Sequence, residues 1–133
     1  MNHPVCIIDD DDDVREVMSF ALEYEGIQSI PFASAMQAEA YLSNLSPEFL
    51  PSLIFVDFMM PEMDGLEFIN LMREKYPDTL GKIPMVMSTA RLAEDTDVMP
   101  ADVLKLEKPI DLDHFIKIAK EHYLPLVRHA SVS

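Results

Sequence analysis

The sequence predicts an α/β protein, a doubly wound parallel sheet of five strands with helices on both faces. Two observations carry this. Apolar residues alternate between short continuous runs and runs at helical spacing, five times in 133 residues. Val5-Cys6-Ile7-Ile8 and Leu53-Ile54-Phe55-Val56 are apolar at every position, as strands buried on both sides are. Strand–helix alternation of this kind places strands in parallel, joined by right-handed crossovers.

Each element follows from its residues. After Val5–Ile8, the residues Val14, Val17, Met18, Ala21 and Leu22 recur at helical spacing, and Gly26 closes the segment as a C-terminal helix glycine does. Gln28 to Phe32 is a second strand, placed at a sheet edge because Pro31 donates no ladder bond. Ala38, Tyr41, Leu42 and Leu45 give a second helix, and Pro47 and Pro51 punctuate the loop after it. The strand Leu53–Val56 comes next, then Asp64-Gly65 and a helix from about Leu66 to Tyr76. Ile83 to Ser88 is a further buried strand. Val103 to Leu106 alternates around Lys105, as an exposed edge strand does. Leu112, Phe115, Ile116, Ala119 and Tyr123 form the last amphipathic helix. The fourth crossover, between Ala90 and Ala101, holds Glu94, Asp95, Asp97 and Pro100 with few periodic apolar residues, so its helix is expected to be short or irregular. One domain over 1–124 and a tail over 125–133 are expected.

The chain carries 24 Asp and Glu against 10 Lys and Arg, a formal net charge of -14, with 49% hydrophobic residues. That apolar fraction suffices for a core. The charge argues against direct nucleic-acid binding, which needs Lys and Arg to displace counterions, and against anionic membrane surfaces. Cys6 is the single cysteine, so no internal disulfide forms, and it reads as a buried structural thiol. No apolar run approaches the roughly 18 residues of a membrane span and no signal peptide is evident. A cytoplasmic protein without membrane insertion is expected.

Ligands of open parallel sheets bind beyond the carboxyl ends of the strands. The polar residues there are Asp9 to Asp13, then Asp57, then Ser88 and Thr89, then Lys108 before Pro109. Carboxylates from neighbouring strands repel unless a cation lies between them, and a small set of hard oxygens favours Mg²⁺ completed by a phosphate. Asp9, Asp10 and Asp57 fit that description. Lys108 and Thr89 can bind two oxygens of an incoming phosphoryl group. Asp57 is then the natural nucleophile, since a carboxylate can form an acyl phosphate. Each residue also has a plainer reading. A run of five Asp can be a solvated cluster or a helix cap, and Asp11 to Asp13 are expected to cap the first helix. Asp57 can be a turn residue at a strand end, Lys108 a surface lysine in a turn, and Thr89 a helix cap. Their joint placement after successive strands favours the site.

The same residues carry a family signature. Over about residues 4 to 124 the chain resembles the receiver domain of two-component response regulators. The matching segments are Val5-Cys6-Ile7-Ile8-Asp9-Asp10-Asp11, Val56-Asp57-Phe58-Met59-Met60-Pro61-Glu62-Met63-Asp64-Gly65, Met87-Ser88-Thr89-Ala90 and Glu107-Lys108-Pro109-Ile110. The second is the most specific. The resemblance implies a flavodoxin-like fold with strand order 2-1-3-4-5. It implies that Asp57 is the phosphoacceptor, served by a sensor histidine kinase or a histidine phosphotransfer protein, with a downstream protein target. It implies that Asp10 ligates Mg²⁺ directly, that Asp9 supports the metal largely through water, and that the Met59 backbone carbonyl is a further ligand. It implies that Thr89 moves to the phosphoryl group, that Lys108 forms an ion pair with it, and that the bond before Pro109 is cis.

The chain departs from the family pattern at Lys105, where many receivers carry an aromatic residue, and in a shortened stretch from Thr89 to Lys108. Met59 and Arg91 stand where the family tunes the phosphoryl lifetime. The length after Tyr123 leaves no room for an effector domain, so a stand-alone or excised receiver of the chemotaxis-regulator kind is expected, with no enzymatic turnover beyond taking up and losing its own phosphoryl group. Three other readings are open. A Mg²⁺-dependent aspartate-nucleophile phosphohydrolase of the haloacid dehalogenase type would carry a second Asp where Met59 stands. A flavin or nucleotide module would need a Gly- or Ser/Thr-rich loop where the five Asp stand. A degenerate receiver that only binds proteins is favoured by Lys105 and the altered fourth helix, and disfavoured by the intact set Asp10, Asp57, Thr89 and Lys108.

Overall fold

Period-two burial organises the molecule into three layers. The computed structural model describes the backbone of residues 3–132 and the side chains of residues 3–123. Five parallel strands, β1 (Val5–Ile8), β2 (Ser29–Phe32), β3 (Leu53–Asp57), β4 (Met85–Thr89) and β5 (Leu104–Glu107), pair in the order β2-β1-β3-β4-β5. Cys6, Ile8, Ile54, Val56, Met85 and Met87 face one side of the sheet. They pack against α2 (Ala35–Leu42) and α3 (Gly65–Lys75) through Ala38, Leu42, Phe68, Ile69 and Met72. Val5, Ile7, Leu53, Phe55 and Val86 face the other side. There they meet Met18 and Leu22 of α1 (Asp12–Tyr24) and Phe115, Ile118 and Ala119 of α5 (Leu112–Val132). The Phe55 and Phe115 rings meet edge to face at 4.6 Å between centroids, a favoured aromatic geometry. This is the flavodoxin-like α/β fold expected of the sequence.

The three inner strands are buried throughout, and β2 and β5 are the two edges. Pro31 therefore sits on an edge strand, as its missing N–H requires. Gly26 closes α1 with φ +76, a backbone conformation that side-chain-bearing residues adopt at a cost. Asp11 caps α1, its carboxylate accepting from the N–H groups of Asp13 and Val14. Asp12 and Asp13 lie in the first turn, where negative charge meets the positive end of the helix. Cys6 is fully buried, and burial pushes its thiol far above the ordinary range, as expected for an inert structural cysteine.

Several boundaries differ from the sequence expectation. The second helix ends at Leu42 rather than including Leu45, because the side chains of Ser43 and Asn44 both donate to the Ala40 carbonyl. Leu45 still packs on the core from the loop. Ile83 and Pro84 precede β4 rather than starting it, since a turn of 3-10 helix over Leu80–Lys82 runs up to them. The fourth helix, α4 (Leu92–Asp95), has four residues and passes into a 3-10 turn, Thr96–Val98, matching the weak periodicity there. Residues 125–132, expected as a tail, continue α5 as helical backbone, and Ser133 lies outside the described residues. Among the described residues no helix is long and apolar enough to cross a membrane.

Candidate functional site

The carboxyl ends of β1, β3, β4 and β5 bring the expected residues to one end of the sheet. The register sets the level: Ile8 pairs with Val56, Asp57 with Ser88, and Thr89 with Glu107. Asp9 follows β1 directly and Asp57 closes β3, so the two carboxylates emerge side by side. Both are buried, at 2% and 5% exposure, whereas Asp10 is exposed. Asp9, Asp10 and Asp57 each offer a carboxylate oxygen, and these oxygens lie within 4.8 Å of one another.

Lys108 enters from β5. Its ammonium donates to Asp9 Oδ2 at 2.9 Å and lies 3.3 Å from Asp57 Oδ2. The backbone holds it there: Lys108 N–H donates to the Thr89 carbonyl at 2.8 Å, and the Lys108–Pro109 peptide is cis. Asp9 is fixed twice more. Its Oδ1 accepts from Asp11 N–H at 2.9 Å, and its carbonyl accepts from the Arg15 guanidinium at 2.7 Å. Arg15 reaches back from the first turns of α1, where it also pairs with Asp12.

Burial pushes the Asp57 carboxyl up to about 6, and the neighbouring charges of Asp9 and Asp10 push the same way while Lys108 pulls it down. Burial alone would lower Lys108, but its hydrogen bond to Asp9 and the charges of Asp57 and Asp9 outweigh that and raise it. Asp9 and Asp57 thus share one ammonium, and with the exposed Asp10 beside them the three carboxylates outnumber it. Hard oxygen donors at this spacing fit a small divalent cation such as Mg²⁺.

The loop after Asp57 is built to leave that end of the strand open. Gly65 N–H donates to the Phe58 carbonyl at 2.8 Å, which folds residues 58–65 back on the strand. A Cβ on Gly65 would stand 2.6 Å from the Asp57 carbonyl oxygen, so only glycine fits. Asp64 and Glu67 form a reciprocal capping box that starts α3 at that point. Met59 lies in this loop with its side chain exposed.

Thr89 is buried, but its hydroxyl does not point at free space. It donates to Asp95 Oδ2 at 2.7 Å and accepts from Arg91 N–H at 3.1 Å. Lys105, the residue at the usual aromatic position, donates its ammonium to the carbonyls of Pro100 and Val103. Sequence reading missed the roles of Arg15, Gly65 and Asp95. Only the Asp64-Gly65 pair gave a signal, as a turn before a helix.

Fold and site together define a response regulator receiver domain. The profile of that family matches residues 5–120, and the chain belongs to it. It is 32% identical over 121 residues to an uncharacterised 14.6 kDa protein of Leptolyngbya boryana, covering 90% of this chain and 89% of that one. It is 31% identical to the DNA-binding transcriptional regulator NtrC of Proteus hauseri, covering 90% of this chain and 25% of the regulator. It is 35% identical to the phosphate regulon transcriptional regulatory protein PhoB of Klebsiella pneumoniae, covering 74% of this chain and 40% of that protein. The chain therefore spans less than half the length of these two regulators. A crystal structure of a response regulator receiver protein from Pseudomonas putida superimposes with a TM-score of 0.77 at 23% identity, over 91% of this chain and 98% of that one. The chemotaxis protein CheY4 of Vibrio cholerae superimposes with a TM-score of 0.72 at 23% identity, over 92% and 99%.

Proposed function

We propose that this chain is a phosphorylation-switched signalling module of the cytoplasm that takes a phosphoryl group onto Asp57 and thereby changes its affinity for a protein partner. One observation carries the reading: a buried aspartate at a strand end lies beside two further carboxylates and one ammonium. The switching unit is residues 1–124, with 125–133 outside it.

Asp57 titrates at about 6, so most of it is ionised at neutral pH and able to attack. One of its carboxylate oxygens bonds to the phosphorus of the donor as the donor's phosphorus–nitrogen bond breaks. The electron pair of that bond leaves on the imidazole of a phosphohistidine, carried by a sensor histidine kinase or a histidine phosphotransfer protein. Lys108, already between Asp9 and Asp57, is placed to pair with a phosphoryl oxygen and so offset the added charge. Asp9, Asp10, Asp57 and the Met59 carbonyl would hold Mg²⁺, which supplies charge neutralisation of the transferring group. Thr89, one residue beyond the register partner of Asp57, would carry the signal by donating its hydroxyl to the new group. The output is binding of a downstream protein. The acidic surface disfavours nucleic acid.

A second reading, a receiver that only binds proteins, is favoured by the engagement of Thr89 with Asp95. Incubation with Mg²⁺ and phosphoramidate, a small donor with a phosphorus–nitrogen bond, separates the two. Intact mass should rise by one phosphoryl group, and Asp57→Asn should abolish the rise. No rise in the parent supports the second reading, and steady turnover of a phosphate ester would point to a hydrolase.

A further inference from the structure

Asp95 lies outside the carboxylate cluster, yet its carboxylate engages the hydroxyl of Thr89. Thr89 is 1% exposed, so its O–H has little access to water and must find its partner within the protein. That partner is the Asp95 carboxylate at 2.7 Å. Arg91 N–H donates to the same hydroxyl oxygen at 3.1 Å, which leaves the hydroxyl proton to Asp95. Asp95 is half-buried at the end of the four-residue α4, whose next residue, Thr96, ties its own hydroxyl to the Leu92 carbonyl. The bond between Thr89 and Asp95 therefore fastens the carboxyl end of β4 to α4.

We infer that Asp95 is a positioning residue that competes with the phosphoryl group for the Thr89 hydroxyl, holding the unphosphorylated form and setting how readily the domain switches. The inference rests on the receiver reading above and adds to it a residue that works against activation. One hydroxyl proton serves either Asp95 or an oxygen on Asp57. Both acceptors are anionic, so each makes a charge-assisted bond to the one hydroxyl proton. Engaging the phosphoryl group then costs the Asp95 bond, and it leaves the Asp95 carboxylate and the Arg91 N–H to find new partners. Such a competition biases two conformations without changing the chemistry at Asp57. On breaking, it frees α4 and the Thr96–Val98 turn, which carries the exposed Val98.

The test titrates the full chain with beryllofluoride in saturating Mg²⁺ and reads affinity together with the Thr89 methyl resonance. In Asp95→Ala the bound form should be favoured about tenfold, a value at the lower end for a charge-assisted bond because Asp95 is partly solvated. Asp95→Asn keeps the shape with a neutral acceptor, so it should tighten binding less, and it serves where the alanine variant fails to fold. In a Thr89→Val background neither change at Asp95 should alter affinity, which a merely structural role would not produce. Unchanged or weaker beryllofluoride binding in both Asp95 variants overturns the inference, as does equal tightening with and without the Thr89 hydroxyl. A parent that binds no beryllofluoride refutes the receiver reading itself and this inference with it, and is distinct from a parent that binds but is indifferent to Asp95.

Discussion

Replacing Asp57 by Asn should stabilise the metal-free protein at neutral pH. Asp57 is 5% exposed, lies beside Asp9 and Asp10, and titrates at about 6 instead of 3.8. A pKa unit corresponds to about 1.36 kcal/mol, so holding this carboxyl ionised costs the native state roughly 3 kcal/mol. The attraction of Lys108 already counts within that figure. Asparagine is neutral and nearly isosteric, so Asp57→Asn should gain about 2–3 kcal/mol at pH 7.5 in chelator. For a chain of this size that corresponds to a rise in Tm on the order of 10 °C. The sign with pH follows from proton binding. Between 3.8 and about 6 the folded Asp57 holds more protons than the unfolded one. Its contribution is therefore most favourable below about pH 4 and is lost as pH rises through 6. The gap between variant and parent should accordingly be small near pH 4 and full above pH 7. Urea unfolding across that range, with chelator and then with excess Mg²⁺, measures it. Mg²⁺ should close most of the gap, since at one hundred times its Kd a ligand stabilises by about 2.7 kcal/mol and the parent has the fuller donor set. A variant no more stable than the parent in chelator at pH 7.5 would show that Asp57 carries no such cost, as would a gap that does not shrink toward pH 4.

Three further outcomes follow from the same geometry. Lys108→Ala removes the ammonium at 2.9 Å from Asp9 and 3.3 Å from Asp57, so the metal-free fold should lose about 2 kcal/mol and Asp57 should titrate higher still; carbon-detected titration of the carboxyl reads this, and an unmoved Asp57 contradicts it. Gly65→Ala puts a Cβ 2.6 Å from the Asp57 carbonyl oxygen and 3.0 Å from Phe58 Cα, both backbone. It should destabilise by about 1–3 kcal/mol and weaken Mg²⁺ binding, whereas parent-like unfolding and affinity would show that the loop yields freely. Arg15→Ala frees the Asp9 carbonyl from its 2.7 Å bond and should cost about 1 kcal/mol and a few-fold in Mg²⁺ affinity; unchanged calorimetric binding would show that Asp9 is held without it.

What the sequence made legible was whatever depends on period and order. β1 and β3 announced themselves because burial on both faces makes every residue apolar. The rule that ligands gather at strand carboxyl ends then picked out Asp9, Asp57 and Lys108 before their separations were known. The cap at Asp11 was visible because capping is local chemistry. What stayed hidden depends on the reach of side chains between elements. Arg15 lies on α1 with no periodic signal that its guanidinium turns back to Asp9. Asp95 looked like one more acid in an irregular crossover until the short α4 placed it over Thr89. Lys105 read as an exposed edge residue, and its ammonium instead gathers the Pro100 and Val103 carbonyls of the preceding loop. Leu45 shows the converse case: its core contact was legible, but the Ser43 and Asn44 bonds that end α2 before it were not.

The measurement closest to the central claim locates the phosphoryl group. The protein is phosphorylated with phosphoramidate and Mg²⁺, reduced with borohydride to convert the acyl phosphate to homoserine, and mapped by peptide mass spectrometry. Homoserine at residue 57 alone, absent when Mg²⁺ is chelated, is the predicted result. Labelling spread over Asp10 to Asp13, or no label in a folded protein that binds Mg²⁺, would contradict it.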